Sequence, residues 1–497
     1  MAHNGPSCAL ERTVLVPRDD SDHSRRLSRT GAWGPVLLVL VVLLGAFGSF
    51  QYDVPRRLGW GERAGAPEAI APPAGLDLPS FAAPSPVADP LVPTTADPAA
   101  IKAVLSPVLR DRHLGRHVVA AVADATGRII FRGGTAGGSP AATPASTIKL
   151  VTAVAALEEM GPDHTFRTKV VSGAPGQLVL VGGGDPYLAA KPVAPDDHTP
   201  APADLRTLAA STAAALRTAG TTTVSLGYDD SLFTGPRLHP SWPASNTAEG
   251  VVAPITALWA DQGAQPDGTG VVEDPSLRAA QVFAQALKRS GIRVTGAPRR
   301  TQAPAGATEV AGVDSARLDE IVANVIAISD NDGAEVLAHH VGIAEGFGGS
   351  YKGGVQGVGA VISRLGHPFQ PGDVVLDGSG LSHDNRLTAD TLLGMLALGA
   401  DPARPELRTV VTALPVAGFT GSLAERYEKG PVGGRGRVAA KTGTLLGVHS
   451  LAGVATPQDG ATLFFVFLAD EVPLEDTLAA RDALDVLSST LGACICS

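Results

Sequence analysis

The chain has 497 residues, a formal net charge of −10 and 44% hydrophobic residues, which allows roughly three domains of ordinary size and a large buried core. A small disulfide-stapled or metal-folded module is excluded, and because one apolar stretch alone reaches spanning length, so is a multi-span membrane protein. The acidic balance, the lack of Lys/Arg runs beyond pairs and an aromatic content of 4% leave no electrostatic or stacking grip for nucleic acid.

Residues 1–30 are polar and mixed in charge, and read as a cytoplasmic N-terminal segment. The apolar run Ala32 to Phe50 falls within 31–51, read as a transmembrane anchor or a signal segment. Five arginines before it against three in the next fifteen residues favour an inside N-terminus and an uncleaved anchor. The rival is a cleaved signal with Val36 to Phe47 as its apolar stretch, followed by small residues. Either reading puts the rest of the chain outside the cytoplasm, on the cell membrane or secreted. Residues 52–98 form a linker: positions 61–98 hold nine prolines and nine alanines, too little bulk to order a chain by burial.

From Ile101 the pattern turns globular, with a helix to Leu109 and a hairpin of Val118–Val122 and Ile129–Phe131 around Asp124–Gly127. Apolar positions Ile148, Val151, Ala155 and Leu157 predict a helix from Ser146 to Met160, stopped by Gly161-Pro162. Short strands, Gly-rich turns and helices near Asp204–Arg217 and Leu277–Ser290 follow, and read as an inserted region, 166–303. Leu318, Ile321, Val322, Val325 and Ile328 define a buried helix face that breaks at Ser329-Asp330-Asn331. Val438–Leu445, Ser450–Ala455 and Leu463–Ala469 predict three strands, and Leu474–Leu491 a helix. These should close the sheet begun at Val118, so 99–165 and 304–497 together make one catalytic domain.

Of the three cysteines, Cys494 and Cys496 stand too close for relaxed disulfide geometry, and free thiols in a frayed tail are expected. Neither cysteine nor histidine spacing makes a metal site, and nothing calls for a cofactor. His339 and His340 read as packing residues, Asp185 as a turn cap, and Gly182–Gly184 as a turn without phosphate-binding features.

Chemistry enters with Ser146 and Lys149, three apart on one helix face, the relation that a serine nucleophile and its base require. An SxxK pair alone is a weak signal. Ser329-Asp330-Asn331 at an interhelical break and Lys441-Thr442-Gly443 on a strand follow in order, and the set of three is specific: it is the motif set of penicillin-binding proteins and class A β-lactamases. The opening turn of a helix can hold an oxyanion, and the strand can pair with an extended peptide.

More closely, the chain resembles the low-molecular-weight penicillin-binding proteins of the D-alanyl-D-alanine carboxypeptidase/endopeptidase family that carry a large insertion after the first motif. The likeness covers about Ile101 to Leu491 and includes Leu180–Pro186, Asp229–Phe233, Asp377–Ser382 and Leu414–Gly418. It implies an α+β fold of the penicillin-binding and serine β-lactamase type, with an antiparallel sheet flanked by helices, an all-helical part and an inserted α/β region. It also implies that Ser146 attacks the bond between two terminal D-alanines of peptidoglycan stem peptides through an acyl-enzyme, and that β-lactams inhibit covalently. In that picture Lys149 is the base, with a pKa depressed by burial and by Lys441. Ser329 relays a proton and Asn331 orients Lys149 and the substrate amide. Lys441, Thr442 and Thr444 bind the terminal carboxylate, with Gly443 between them, and the backbone N–H groups of Ser146 and Thr444 form the oxyanion hole. Asp229 would bind the free amine of the stem peptide, although an ordinary turn carboxylate fits the position nearly as well. His383 stands where relatives often carry an arginine. The alternatives are a serine β-lactamase, for which the insertion is foreign, and a non-catalytic wall-binding or antibiotic-binding module, which would have no need of Lys149 beside Ser146.

Overall fold

The structure, a computed structural model, describes residues 95–135, 137–194 and 199–497. The N-terminal segment, the anchor or signal and the linker to position 94 lie outside these residues. Among the described residues no helix is long and apolar enough to cross a membrane.

In chain order the main elements are α1 (Pro98–Val108), β1 (His117–Asp124), β2 (Ile129–Gly134), β3 (Ala141–Ala142), α2 (Lys149–Met160), β4 (Arg167–Ser172), β5 (Gln177–Val181), α3 (Leu205–Thr218), β6 (Thr223–Asp229), α4 (Pro275–Arg289), β7 (Arg293–Arg300) and β8 (Glu309–Asp314). They continue with α5 (Leu318–Ile328), α6 (Asn331–Ala344), α7 (Tyr351–Arg364), β9 (Leu387–Thr388), α8 (Ala389–Ala400), β10 (Val438–Leu445), β11 (Val448–Ala455), β12 (Leu463–Asp470) and α9 (Thr477–Ala493).

The first sheet has the order β10-β11-β12-β1-β2 and is antiparallel throughout. The last three strands therefore add to the N-terminal hairpin, as the pattern of apolar runs required. Every residue of β12 is buried, because helices cover both faces. Phe464, Val466 and Leu468 join the core of α2 and α8, while Phe465 and Phe467 join that of α1 and α9. A strand covered on both sides reads as an unbroken apolar run rather than an alternation.

The second sheet, β7-β6-β5-β4-β8, lies in the inserted region. Its strands β5, β6 and β7 are parallel neighbours, and parallel strands need crossovers, which α3 and α4 supply. Leu205, Leu208, Phe283 and Leu287 from these helices build its core. The sheet runs on past Ala303, since β8 pairs with β4 from Glu309 to Asp314.

Two expectations are corrected. Ile328 is 63% exposed and Ile326 fully buried instead: at about 100° per residue the last helical position lies roughly a quarter turn off the apolar face. Cys494 and Cys496 are bonded to each other. The tail is not frayed, because the backbone N–H groups of Cys496 and Ser497 donate to the Asp459 carboxylate at 2.6 and 2.7 Å and Cys496 is fully buried in the core under α9.

Candidate active site

Ser146 lies in a short 3-10 turn, Ala145–Ile148, that leads directly into α2. Lys149 is the first residue of α2 and is fully buried. Its Nζ donates to Ser146 Oγ at 2.9 Å, to Asn331 Oδ1 at 2.7 Å and to the Ser379 carbonyl at 2.6 Å. One amine thus ties together the first motif, the second motif and the loop of Asp377–Ser382.

The second motif sits where α5 ends and α6 begins. Ser329 closes α5 in the left-handed region, with φ 65°, and Ala145, just before Ser146, is left-handed as well. Each such non-glycine residue costs on the order of 1–3 kcal/mol; Ala145 stands one position before Ser146 and Ser329 two positions before Asn331, and both Ser146 and Asn331 bond Lys149 Nζ. Asn331 opens α6, with its side-chain NH2 held by the Val251 carbonyl at 2.9 Å.

The third motif lies on β10, the edge strand of the first sheet. Gly443 packs against the loop that carries Ser146: a Cβ there would lie 2.7 Å from the Pro144 carbonyl oxygen and 2.1 Å from Ser450 Oγ. Lys441 is fully buried and its Nζ donates to the Thr442 carbonyl at 3.0 Å. Thr442 Oγ1 meets Ser422 Oγ at 2.9 Å, whereas Thr444 is exposed. The three motifs therefore converge.

Burial lowers the Lys149 pKa to about 8, while the carboxylates of Glu335, Asp330, Asp377 and Asp332 pull it upward. The depression expected from the sequence is present, and its cause is desolvation of the ammonium. The repulsion expected between the two amines falls on Lys441, driven well below the ordinary lysine value by burial first and by Lys149 second.

Several participating residues were not legible in the sequence. Glu335, one helical turn after Asn331, accepts the N–H groups of Ser379 at 2.7 Å and Gly378 at 3.1 Å, and so holds the carbonyl that receives Lys149. Burial, reinforced by Asp377, raises its own pKa to about 8. Asp377 in turn accepts from Gly380 N, Ser382 N, Asn385 Nδ2 and Trp242 Nε1. Arg386 follows the same loop but lines a cavity that includes none of Ser146, Lys149, Ser329, Asn331 and Lys441. Its Nη1 donates to Thr143 Oγ1 at 2.8 Å and to the His383 carbonyl at 2.6 Å, along the wall of this open cavity of about 710 Å³ that includes His383 and Leu446. A guanidinium thus stands three residues beyond the position where the resemblance looks for one.

Asp229 stands apart from this cluster. At the end of β6, its carboxylate accepts the N–H groups of Ser231 at 2.9 Å and Ala303 at 2.7 Å, contacts that fasten its own sheet. Asp185 caps its turn through Tyr187 N at 2.8 Å. His339 and His340 are buried, bonded to the carbonyls of Glu335 and Gly184.

The chain is similar to known proteins over most of its length. The family described as D-Ala-D-Ala carboxypeptidase 3 (S13) matches residues 101–269 and 266–491. The chain belongs to that family. It is 35% identical to a carboxypeptidase of Mycobacterium tuberculosis, over 82% of this chain and 87% of that one. It is 34% identical to the carboxypeptidase DacB of Mycolicibacterium smegmatis, over 81% and 89% of the two chains. A D-alanyl-D-alanine carboxypeptidase of an Actinomadura species is 30% identical over 65% of this chain and 72% of its own. Among solved structures, penicillin-binding protein 4 of Haemophilus influenzae shares the fold, with a TM-score of 0.64 at 20% identity over 80% of this chain and 98% of that chain.

Proposed function

We propose that this chain is a serine D-alanyl-D-alanine carboxypeptidase of peptidoglycan stem peptides, with Ser146 as nucleophile and Lys149 as its base. The observation that carries the assignment of roles is the placement of Lys149 Nζ within hydrogen-bond reach of both Ser146 Oγ and Asn331 Oδ1. With a pKa of about 8, about a tenth of Lys149 is uncharged at pH 7, so a base exists at neutral pH without a histidine.

Ser146 Oγ attacks the carbonyl of the penultimate D-alanine as its proton passes to Lys149. The backbone N–H groups of Ser146 and Thr444 receive the oxyanion. Ser329 passes a proton to the departing amine, D-alanine leaves, and water resolves the acyl-enzyme. Asn331 orients the base with its oxygen and the substrate amide with the free hydrogen of its NH2. Lys441, Thr442 and Thr444 bind the terminal carboxylate beside Gly443. An anion there favours the charged form of Lys441 and opposes the effect of burial. The same acyl-enzyme cuts peptide cross-links when the leaving amine belongs to a second strand, which adds endopeptidase activity. A carboxylate retains further lone pairs when it serves a turn, and Asp229 uses them for the stem-peptide amine.

Residues 32–50 anchor the catalytic domain outside the cytoplasm, on a linker that gives it reach. Membrane fractionation of cells carrying the full chain tests this, a soluble product opposing it.

Incubation with a fluorescent penicillin tests the central assignment. A stable adduct on Ser146, absent in Ser146→Ala, together with release of D-alanine from stem peptide by mass spectrometry, is the expected outcome. Rapid turnover of the penicillin would mark a β-lactamase, and no adduct would end the assignment.

A further inference from the structure

Asp330 is the N-cap residue of α6, where an aspartate ordinarily turns its carboxylate onto the first free N–H groups of its own helix. Here it makes no such bond. Its Oδ2 instead accepts from Tyr187 Oη at 2.8 Å and Gln262 Nε2 at 2.8 Å, both from the inserted region. The neighbouring residues do likewise. Asn331 Nδ2 donates to the Val251 carbonyl at 2.9 Å, and Asp332 Oδ1 accepts from Ala253 N at 2.8 Å. Three consecutive side chains, the last two of the second motif and Asp332 after it, are thus held by the insertion, at the corner that presents Asn331 to Lys149.

The other acceptor of Lys149 has the same support. Ser379 belongs to the loop organised by Asp377, and the insertion reaches that loop through Trp242 Nε1 on Asp377 at 2.7 Å and Ser241 Oγ on Ser382 Oγ at 2.7 Å.

We propose that the inserted region is a positioning element of the catalytic centre: Tyr187 and Gln262, acting through Asp330, and Val251, acting through Asn331, hold the amide that aims Lys149 at Ser146. The physical need is specific. An asparagine amide can present either end to an ammonium or amine, and only with the oxygen toward Lys149 does it accept from it. The Val251 carbonyl selects that orientation by taking one hydrogen of the nitrogen end, and leaves the second for a ligand. Asp330, left without its two donors, would turn back onto α6 as an ordinary cap and shift the corner. Tyr187 and Gln262 touch neither nucleophile nor base, so they are positioning residues, and the inference rests on the catalytic reading given above.

The test is the full chain carrying Tyr187→Phe with Gln262→Ala, compared with each single variant and with Trp242→Phe. The readouts are the rate of fluorescent penicillin acylation, kcat and KM on a stem peptide, and the melting temperature. The expected result for the double variant is a fall of about 10- to 100-fold in kcat and in acylation rate, with KM unchanged and the folded fraction intact, and a smaller fall for each single variant. Trp242→Phe, which keeps an aromatic side chain but loses the N–H along with part of the indole's volume, should lower kcat in the same way through Ser379. An acylation rate equal to the parent chain, a loss confined to KM, or a loss that only follows the unfolded fraction would overturn the proposal. Failure of the parent chain to be acylated at all would instead count against the catalytic reading itself.

Discussion

In the inserted region, several polar groups are matched one to one with hydrogen-bond or ion-pair partners: Asp229 bonds two backbone N–H groups, Asp204 caps α3 through Arg206 and Thr207, and Arg237 pairs with Asp230 and Asp274. Around the edge of the first sheet burial governs. Lys149, Lys441 and Glu335 are buried so deeply that their charged forms are disfavoured. A matched group stabilises a scaffold, whereas a group whose charge is penalised by burial is available to exchange a proton. The two regions use the same residue types for different ends.

Substitutions on each side should break this contrast in proportion. Lys149→Ala has the largest expected effect: acylation by a fluorescent penicillin falls about 100- to 10,000-fold, with the melting temperature measured alongside because the Asn331 oxygen and the Ser379 carbonyl also lose this donor.

The pH dependence is the next sharpest measure. Acylation by the parent chain should rise with pH through a limb near 8, because the attacking state needs Lys149 without its proton. Glu335 is the foremost of the charges holding the Lys149 pKa up. With its own pKa raised to about 8, Glu335 carries its charge over the upper part of that limb, so Glu335→Gln removes an anion beside the ammonium there, disfavours the charged form further, and should move the upper part of the limb to lower pH, as stopped-flow acylation across pH would record. A limb moving upward would contradict the arrangement.

On the scaffold side, Asp229→Asn exchanges one acceptor oxygen for a donor opposite a backbone N–H. About 1–3 kcal/mol of stability should be lost for the unsatisfied group, seen in denaturant unfolding, with the rate of penicillin acylation unchanged.

The catalytic core was legible to the extent that its chemistry imposes spacing. Ser146 and Lys149 must share a helix face, Ser329 and Asn331 must stand at a break, and Lys441 must lie on a strand, and each demand leaves a short pattern. The chain order of sheet one was legible because unbroken apolar runs such as β12 have few alternatives. Ser379 was not, since it meets Glu335 and Lys149 through backbone atoms that every residue carries, and Glu335 was not, since its carboxylate accepts from backbone N–H groups that no side-chain pattern marks. Val251 and Trp242 are separated from their partners by 80 and 135 positions, and no periodicity links them. The terminal cysteines misled for a related reason: their spacing was read without the buried pocket and the Asp459 carboxylate that hold the tail in place.

The segment Pro144–Ala145, which carries Ser146, is gripped between two glycines. A methyl group at Gly380 would lie 2.0 Å from the Ala145 carbonyl oxygen, and one at Gly443 would lie 2.7 Å from that of Pro144. Main chain rests on main chain at both contacts, and such a joint has no rotamers through which to yield. A side chain at either glycine would therefore have to push the main chain that carries Ser146, so both positions set where its hydroxyl stands.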